Sequence, residues 1–568
     1  MNPITTESAT LLTLPELAAR FESAIRDLYP GSEPSIHFEP PRRAEFGDVA
    51  TNVAFSLSKT ARRSPTDIAS KILERALKDP DVRATIEESN AVVGFINLTL
   101  VPAFWQRTIA TIVRDGADFG TSPKRNVRVS LEFGSANPTG PLVVVQGRTL
   151  SIGATLANAM RFAGFDVFTE WIINDAGSQI DTLGRSLYAR YRQLWEPTFP
   201  FPEDGYPGDY LLPVADALRA RDGERWRTAD EATWLPAVRQ FGRDTLVAGQ
   251  REIAATFGVH YDLWQSEKEL NERGAIEAGL ERLRAMGLTY EKDGATWVKT
   301  SESGDDQDRV VIRSDGRPTY YAADVAYFYE KFQRGNDRAE IILGPDHHGY
   351  IGRLHALAIA YGHPGGINVL IAQQITLMRG TEVVAMSKRA GQIVTLQDII
   401  DEVGVDAARF FFVMLSPDQP LTFDLALAKA QSSDNPVYYV QYGHARIASV
   451  VRKAAPALVV RAQRGEALPA LTDQAELALA RRLAEFPDVV ANAAQALAPH
   501  RIARYARDVA SDFHQFYSTC TIIGDDEEIT VARLALSLAA KAVLARVLGI
   551  CGVSAPEAME RSESVTTT

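Results

Sequence analysis

NVRVSLEFGSANPTGPLVVVQGRTLSIGATLANAMRFAGFDVFTEWI, residues Asn126 to Ile172, decides the fold. Its opening alternates, with Val127, Val129, Leu131 and Phe133 on one face, which is the period of a strand. A turn follows in which Pro138 and Pro141 stiffen the chain and Gly140 lets a ligand approach the backbone. Apolar residues then recur at Ile152, Leu156, Ala159 and Ala163, at spacings of 4, 3 and 4, so the segment is a helix opening near Gly147. FDVFTEWI alternates again as a second strand. Strand, glycine-containing loop, helix and strand make a βαβ unit.

The pattern returns in RAEIILGPDHHGYIGRLHALAIAYG (338–362) and INVLIAQQITLM (367–378). Two such sets imply a Rossmann-like parallel sheet, with ligands at the carboxyl ends of its strands where the halves meet. The aromatic and acidic stretch from about 185 to 310 reads as an insertion between the halves. Upstream, residues 1–122 combine helical patterns with the strand AVVGFINLTL, an α+β region. Downstream, residues 431–568 are rich in Ala, Leu and Arg and read as an all-α domain, leaving 123–430 as the catalytic domain. The fold class is therefore α/β, flanked by an α+β and an all-α domain.

Composition sets the outer limits. A chain of 568 residues with 46% hydrophobic and 23% charged residues is an ordinary soluble multidomain protein. Its two cysteines, Cys520 and Cys551, support neither a disulfide framework nor a four-cysteine zinc site, and reduced thiols fit a cytoplasmic protein. The N-terminus lacks the basic-then-apolar order of a signal peptide. LALSLAAKAVLARVLGICGV is interrupted by Lys541 and Arg546 and reads as a core helix. A formal net charge of −12 excludes a generally basic surface, yet a local Arg/Lys stripe still suits nucleic acid.

Four places carry candidate chemistry. In the loop from Glu132 to Leu142, the following helix turns free N–H groups toward any anion bound there, although a ligand-free tight turn gives the same pattern. Neither G-x4-G-K-[ST] nor G-x-G-x-x-G is present here. In VVAMSKRAGQIVTL (383–396), Lys388 and Arg389 lie on a loop after a strand, placed to neutralise charge on a transferring phosphoryl or nucleotidyl group; a solvated loop is the alternative. GPDHHGY (344–350) ends a strand, and His347, His348, His355 and His363 fall close together. No cysteine or paired carboxylate completes a zinc set, so no metal is expected and nucleotide contact is the favoured use. In PTYYAADVAYFYEKF (318–332), Tyr320 and Asp324 share a helix face. An aromatic ring and a carboxylate together suit a cationic substrate.

The residues EFGSANPTGPL (132–142) and MSKRAGQIVTLQDIIDEVGVDAARFFFVML (386–415) resemble the arginyl-tRNA synthetases, a family of class I aminoacyl-tRNA synthetases. EFGDVATNVAFSLSK and GFINLTL are similar to that family's N-terminal tRNA-contacting domain, and IINDAGSQI and LGPDHHGY to its catalytic core. NPVYYVQYGHARI and FHQFYSTCTIIGDDEEITVARLAL resemble its helical anticodon-binding domain. The resemblance implies activation of L-arginine by ATP with Mg2+ as a substrate complex, release of pyrophosphate, and transfer of the arginyl group to tRNA(Arg). It implies no tightly bound cofactor and a monomer. It assigns Glu132 and Asn137 to the substrate ammonium and its neighbouring groups, and Tyr320 and Asp324 to the guanidinium, where a planar fork meets a carboxylate and lysine is rejected. ATP falls to Thr139, Gly140, Pro141, Gly147, Gly344, Asp346, His347, His348, Met386, Ser387 and Lys388, with Lys388 the catalytic cation. Tyr439, Tyr442 and Arg446 are expected at tRNA by stacking, with helix packing the alternative for the tyrosines.

One departure stands out. The family's first signature is His-x-Gly-His after Pro-Leu; here Val143-Val144-Val145-Gln146 precedes Gly147-Arg148. The second signature also has Ala385 in place of its usual first lysine. Losing one donor to a developing phosphorane costs on the order of 3–4 kcal/mol, or roughly 100- to 1000-fold in rate. Gln146 retains amide donors, and with Arg148 it is expected to act in catalysis. The reading is thus an active arginine–tRNA ligase with a rewired site. The alternatives are an impaired synthetase-like paralogue that binds tRNA or arginine, and an adenylating enzyme with another acceptor, which the full C-terminal region disfavours.

Overall fold

The computed structural model describes residues 10–39, 41, 43–345, 349, 351–384 and 393–559. Asp346, His347, His348, Met386, Ser387 and Lys388 lie outside the described residues, as does Ala385. The chain forms two compact units, each drawn from several segments.

The larger unit contains residues 120–445, 486–510 and the chain from 544 onward. Its centre is a five-stranded parallel sheet of β1 (Arg128–Glu132), β2 (Asp166–Ile173), β3 (Leu263–Ser266), β4 (Arg338–Leu343) and β5 (Ile367–Ile371). The spatial order is β5-β4-β1-β2-β3, with every neighbouring pair parallel. Chain order therefore reverses between β1 and β4, which is the switch point of a doubly wound sheet. Glu132 closes β1 in register with Ile341 of β4 and Glu170 of β2, so the carboxyl edge bears the first signature.

The helix α1 (Val144–Phe162) follows that signature and is buried along almost its whole length. Two glycines permit this. A Cβ on Gly153 would stand 2.0 Å from the Phe133 ring, and one on Gly147 would stand 2.7 Å from Leu396. The helix α2 (Tyr320–Gln333) leads into β4.

The stretch read as an insertion holds the helices Gln179–Gln193, Leu211–Asp222 and Glu231–Thr256, which pack around Tyr188, Tyr191, Trp226 and Trp234. It also supplies β3, so the insertion reading is corrected there. LWQS is four residues long and too short for alternation to reveal it.

The smaller unit contains the chain to Phe119, with 446–485 and 511–543. The strand Phe95–Leu100 lies between Val49–Thr51 and Ile86–Val92 in an antiparallel sheet. The expected single strand AVVGFINLTL is thus the end of the first arm, the turn and the second arm of a hairpin. Val93 and Gly94 both take positive φ, 52° and 85°, as a two-residue hairpin turn with right-handed twist requires. Within this unit, Asp48 accepts from the Leu100 N–H at 2.8 Å and pairs with Arg481 at 2.7 Å. The helix Glu527–Cys551 has the length and composition of a membrane span, but 67% of its apolar window is buried in protein, as a core helix would be.

Candidate active site

The amino-acid end of the site is built from charged side chains at the carboxyl edge of the sheet. Glu132 is buried at the end of β1. Asp324, one turn into α2, is half-buried, yet its Oδ2 is sealed from solvent and has no partner. Burial pushes its carboxyl pKa up to about 7; Glu132 and Glu267 push it the same way, and Arg353 opposes them. Glu267 opens the short helix after β3 and is itself raised by burial and by Asp175. Nothing local in the sequence links it to Asp324.

Asp175, in IINDAGSQI, fixes this edge. It pairs with Arg243, accepts from Ser266 Oγ at 2.8 Å and caps Lys268 N–H at 2.9 Å. Asn174 donates to Asn137 Oδ1 at 3.2 Å, which ties the expected ammonium ligand to the loop after β2.

Tyr320 is 80% exposed at the first residue of α2. Helix spacing puts it on the face of Asp324, but among the described residues no hydrogen bond joins the two. Tyr321 is the buried ring; its hydroxyl has no partner, and burial followed by Asp324 raises its pKa.

The nucleotide end is held through main chain. Tyr210 donates to the Thr139 carbonyl at 2.6 Å, and Gln250 Nε2 donates to the carbonyls of Asn137 (3.0 Å) and Gly140 (2.9 Å). Leu396 N–H donates to the Leu142 carbonyl at 2.8 Å, and Val144 N–H to the Val394 carbonyl at 3.4 Å. The chain just beyond the second signature is thereby stitched to the first. Pro141 is half-buried in this turn, and Gly344 is half-buried at the end of β4. Gly147 is buried against Leu396 and Phe412, so its lack of a side chain serves helix packing.

Gln146 is half-buried, and its Oε1 accepts from the Val143 N–H at 3.1 Å. That bond fixes which end of the amide is which: the oxygen is used, and the NH2 remains as donor.

Arg148, expected to act in catalysis, points into the interior. Its side chain is fully buried, and its guanidinium donates to the carbonyls of Gln373 (2.8 Å), Gln374 (3.5 Å), Ser416 (3.1 Å) and Gln419 (2.8 Å). Burial lowers its pKa to about 10. It clasps two loops to α1 through its terminal nitrogens, and its buried Nε has no partner among the described residues.

Of the expected tRNA contacts, Tyr439 and Tyr442 lie half-buried on the helix Pro436–Lys453, with Tyr442 stacked on Tyr438 at 5.9 Å. Arg446, in the other unit, lies 4.7 Å from the Tyr517 ring centroid and 3.5 Å from His514 Nδ1.

A parallel sheet with this switch point, the acidic side chains Glu132, Asp324 and Glu267 and a proline-glycine loop before α1 fit the catalytic domain of a class I aminoacyl-tRNA synthetase. Residues 260–413 match the class I (R) tRNA synthetase catalytic domain, 15–100 the arginyl-tRNA synthetase N-terminal domain and 440–559 the DALR anticodon-binding domain. An arginine–tRNA ligase of Syntrophotalea carbinolica is 43% identical over 94% of this chain and 97% of that protein. One of Heliobacterium modesticaldum is 44% identical over 93% and 95%. The arginyl-tRNA synthetase structure of Thermus thermophilus superposes with a TM-score of 0.76 at 20% identity, over 96% of this chain and all of that one. The chain belongs to the arginyl-tRNA synthetase family.

Proposed function

We propose that this chain ligates arginine to tRNA(Arg) through a working variant of the family's first signature. The observation that carries this reading is the unpartnered, buried Oδ2 of Asp324 beside Glu132 and Glu267. Three carboxylates converging on one pocket suit a substrate that carries both a guanidinium and an ammonium. Asp324 takes the guanidinium, with Tyr320 closing over it. Glu132 and Asn137 take the α-ammonium and its neighbours, and Glu267 adds charge that excludes neutral side chains.

ATP, as its Mg2+ complex, lies along Thr139, Gly140 and Pro141 toward Gly344. Asp346, His347, His348, Met386, Ser387 and Lys388 complete that site, with Lys388 on the phosphates. The arginine carboxylate attacks the α-phosphorus and pyrophosphate leaves. The Gln146 amide NH2 replaces a histidine donor as charge grows on the phosphoryl oxygens. The arginyl group then passes to the terminal ribose of tRNA(Arg), held in part by Tyr439, Tyr442 and Arg446. The enzyme acts as a cytoplasmic monomer without a tightly bound cofactor.

The test is arginine-dependent ATP–pyrophosphate exchange with and without tRNA(Arg). The wild type is expected to exchange, Lys388→Ala to lose exchange, and Gln146→Ala to fall roughly 100-fold in kcat, the scale of one lost phosphoryl donor. The missing histidines favour a second reading, a protein that grips tRNA without ligating it. Tight tRNA binding with no exchange under any condition would establish that reading and reject the first.

A further inference from the structure

The last turn of α2 walls a second cavity, far from the turn that carries Asp324. The cavity has a volume of about 160 Å3 and is lined by Arg282, Tyr329, Phe332, Gln333, Tyr361 and His363. Tyr320 and Gln333, the two ends of α2, stand about 20 Å apart along the helix axis at 1.5 Å per residue. β4 begins at Arg338 and β5 at Ile367. The cavity therefore lies at the amino edge of the sheet, opposite the edge that bears the first signature.

Its wall is aromatic and held in place. The Phe332 and His363 rings stack at 4.1 Å and 9°. The Tyr361 ring centroid lies 5.6 Å from that of Tyr329 and 6.4 Å from that of Phe332, and its hydroxyl donates to the Val325 carbonyl at 2.9 Å. His363 is fixed by main chain: its N–H donates to the Ala358 carbonyl at 2.8 Å, and its carbonyl accepts from the Gly366 N–H at 2.7 Å. Gly279 lets the helix Ala275–Ala285 approach α2, since a Cβ there would stand 3.0 Å from Val325. Arg282, three residues on, shares that side of the helix.

The polar groups of this cavity are unspent. Among the described residues, no side-chain hydrogen bond or ion pair engages Arg282, Tyr329, Gln333 or His363. Nearby arginines are paired, Arg284 with Glu277 at 2.6 Å and Arg273 with Glu330 at 2.9 Å. Phe332 and Tyr361 are buried and Arg282 is exposed, so the guanidinium stands at the mouth and the rings form the floor. A free guanidinium suits a carboxylate, and a cavity of about 150 Å3 holds one benzene ring.

We infer that this cavity is a second ligand site, for an aromatic carboxylate of one ring. The ring packs on the aromatic wall, and the carboxylate meets Arg282.

The full-length protein is titrated with 4-fluorobenzoate and followed by 19F NMR, with 4-fluorobenzamide as the uncharged match. The acid is expected to bind with a Kd of about 1 mM or tighter, a modest demand on about ten heavy atoms. The amide should bind about tenfold more weakly or worse, for want of a charge-assisted bond. Saturating arginine and ATP should leave the acid bound. Arg282→Gln alters an exposed side chain and should weaken the acid about tenfold, while Arg284→Gln on the same helix should stay within about twofold of wild type. No binding of the acid up to about 10 mM overturns the inference. So does its displacement by arginine or ATP, equal affinity for the amide, or equal loss in the two arginine variants.

Discussion

The two ends of the catalytic cleft are held by different means. At the amino-acid end, side chains do the holding: Glu132 is set by Lys331, Asp175 by Arg243 and Ser266, and Asp324 lies among acids with one buried oxygen unpaired. At the nucleotide end, the backbone does it. Carbonyls of Asn137, Thr139, Gly140 and Leu142 are each bonded from elsewhere, and Val144 N–H reaches Val394. A loop held by its main chain keeps its course whatever side chains it carries. A pocket made of charges does not. That contrast lets the signature read Val-Val-Val-Gln while main-chain bonds still fix its turn.

The amino-acid end should therefore be the more fragile to conservative change, and Asp324→Asn is the largest test. The amide keeps the shape and removes the charge. Truncating one partner of a buried charge pair costs about 3–5 kcal/mol, so kcat/KM for arginine is expected to fall roughly 1000-fold with the circular dichroism spectrum unchanged. A loss below tenfold would mean that the guanidinium is held elsewhere and would dissolve the contrast.

The same residue gives a sharper, smaller effect. Burial holds the Asp324 carboxyl near a pKa of about 7, and the guanidinium needs it ionised. At pH 6 roughly one molecule in ten is ionised, and at pH 8 nearly all. KM for arginine should accordingly fall about tenfold as pH rises from 6 to 8, bending near 7. The slope should vanish in Asp324→Asn, while KM for ATP stays level in both proteins.

The contrast also governs what the sequence discloses. β1, α1 and β2 are legible because each is long enough for its period to show in Asn126–Ile172. The Tyr320–Asp324 spacing locates the acidic end. Not legible are interactions whose partners come from far along the chain. Gly-Arg after the signature suggests a phosphate ligand, yet Arg148 is consumed by carbonyls between Gln373 and Gln419. Glu267, Lys331, Tyr210 and Gln250 join the site across 71 to 201 residues or through charge alone. β3 and the Val93-Gly94 turn escape for a local reason: the first is too short and the second lacks the Asn-Gly or Asp-Gly that marks such turns.

Tyr210→Phe provides the finest test, because it touches the nucleotide end alone. The change deletes one hydroxyl that donates to the Thr139 carbonyl and leaves the ring against Gly140. One such bond is worth about 1 kcal/mol net, so KM for ATP is expected to rise roughly fivefold. KM for arginine should stay within about twofold of wild type, since Asp324, Glu132 and Glu267 keep their places. Steady-state kinetics with each substrate varied in turn gives both values. A matching rise in the arginine KM would show that the turn and the pocket move as one body; a rise confined to ATP establishes that the backbone-held end can be tuned by itself, as its substituted signature requires.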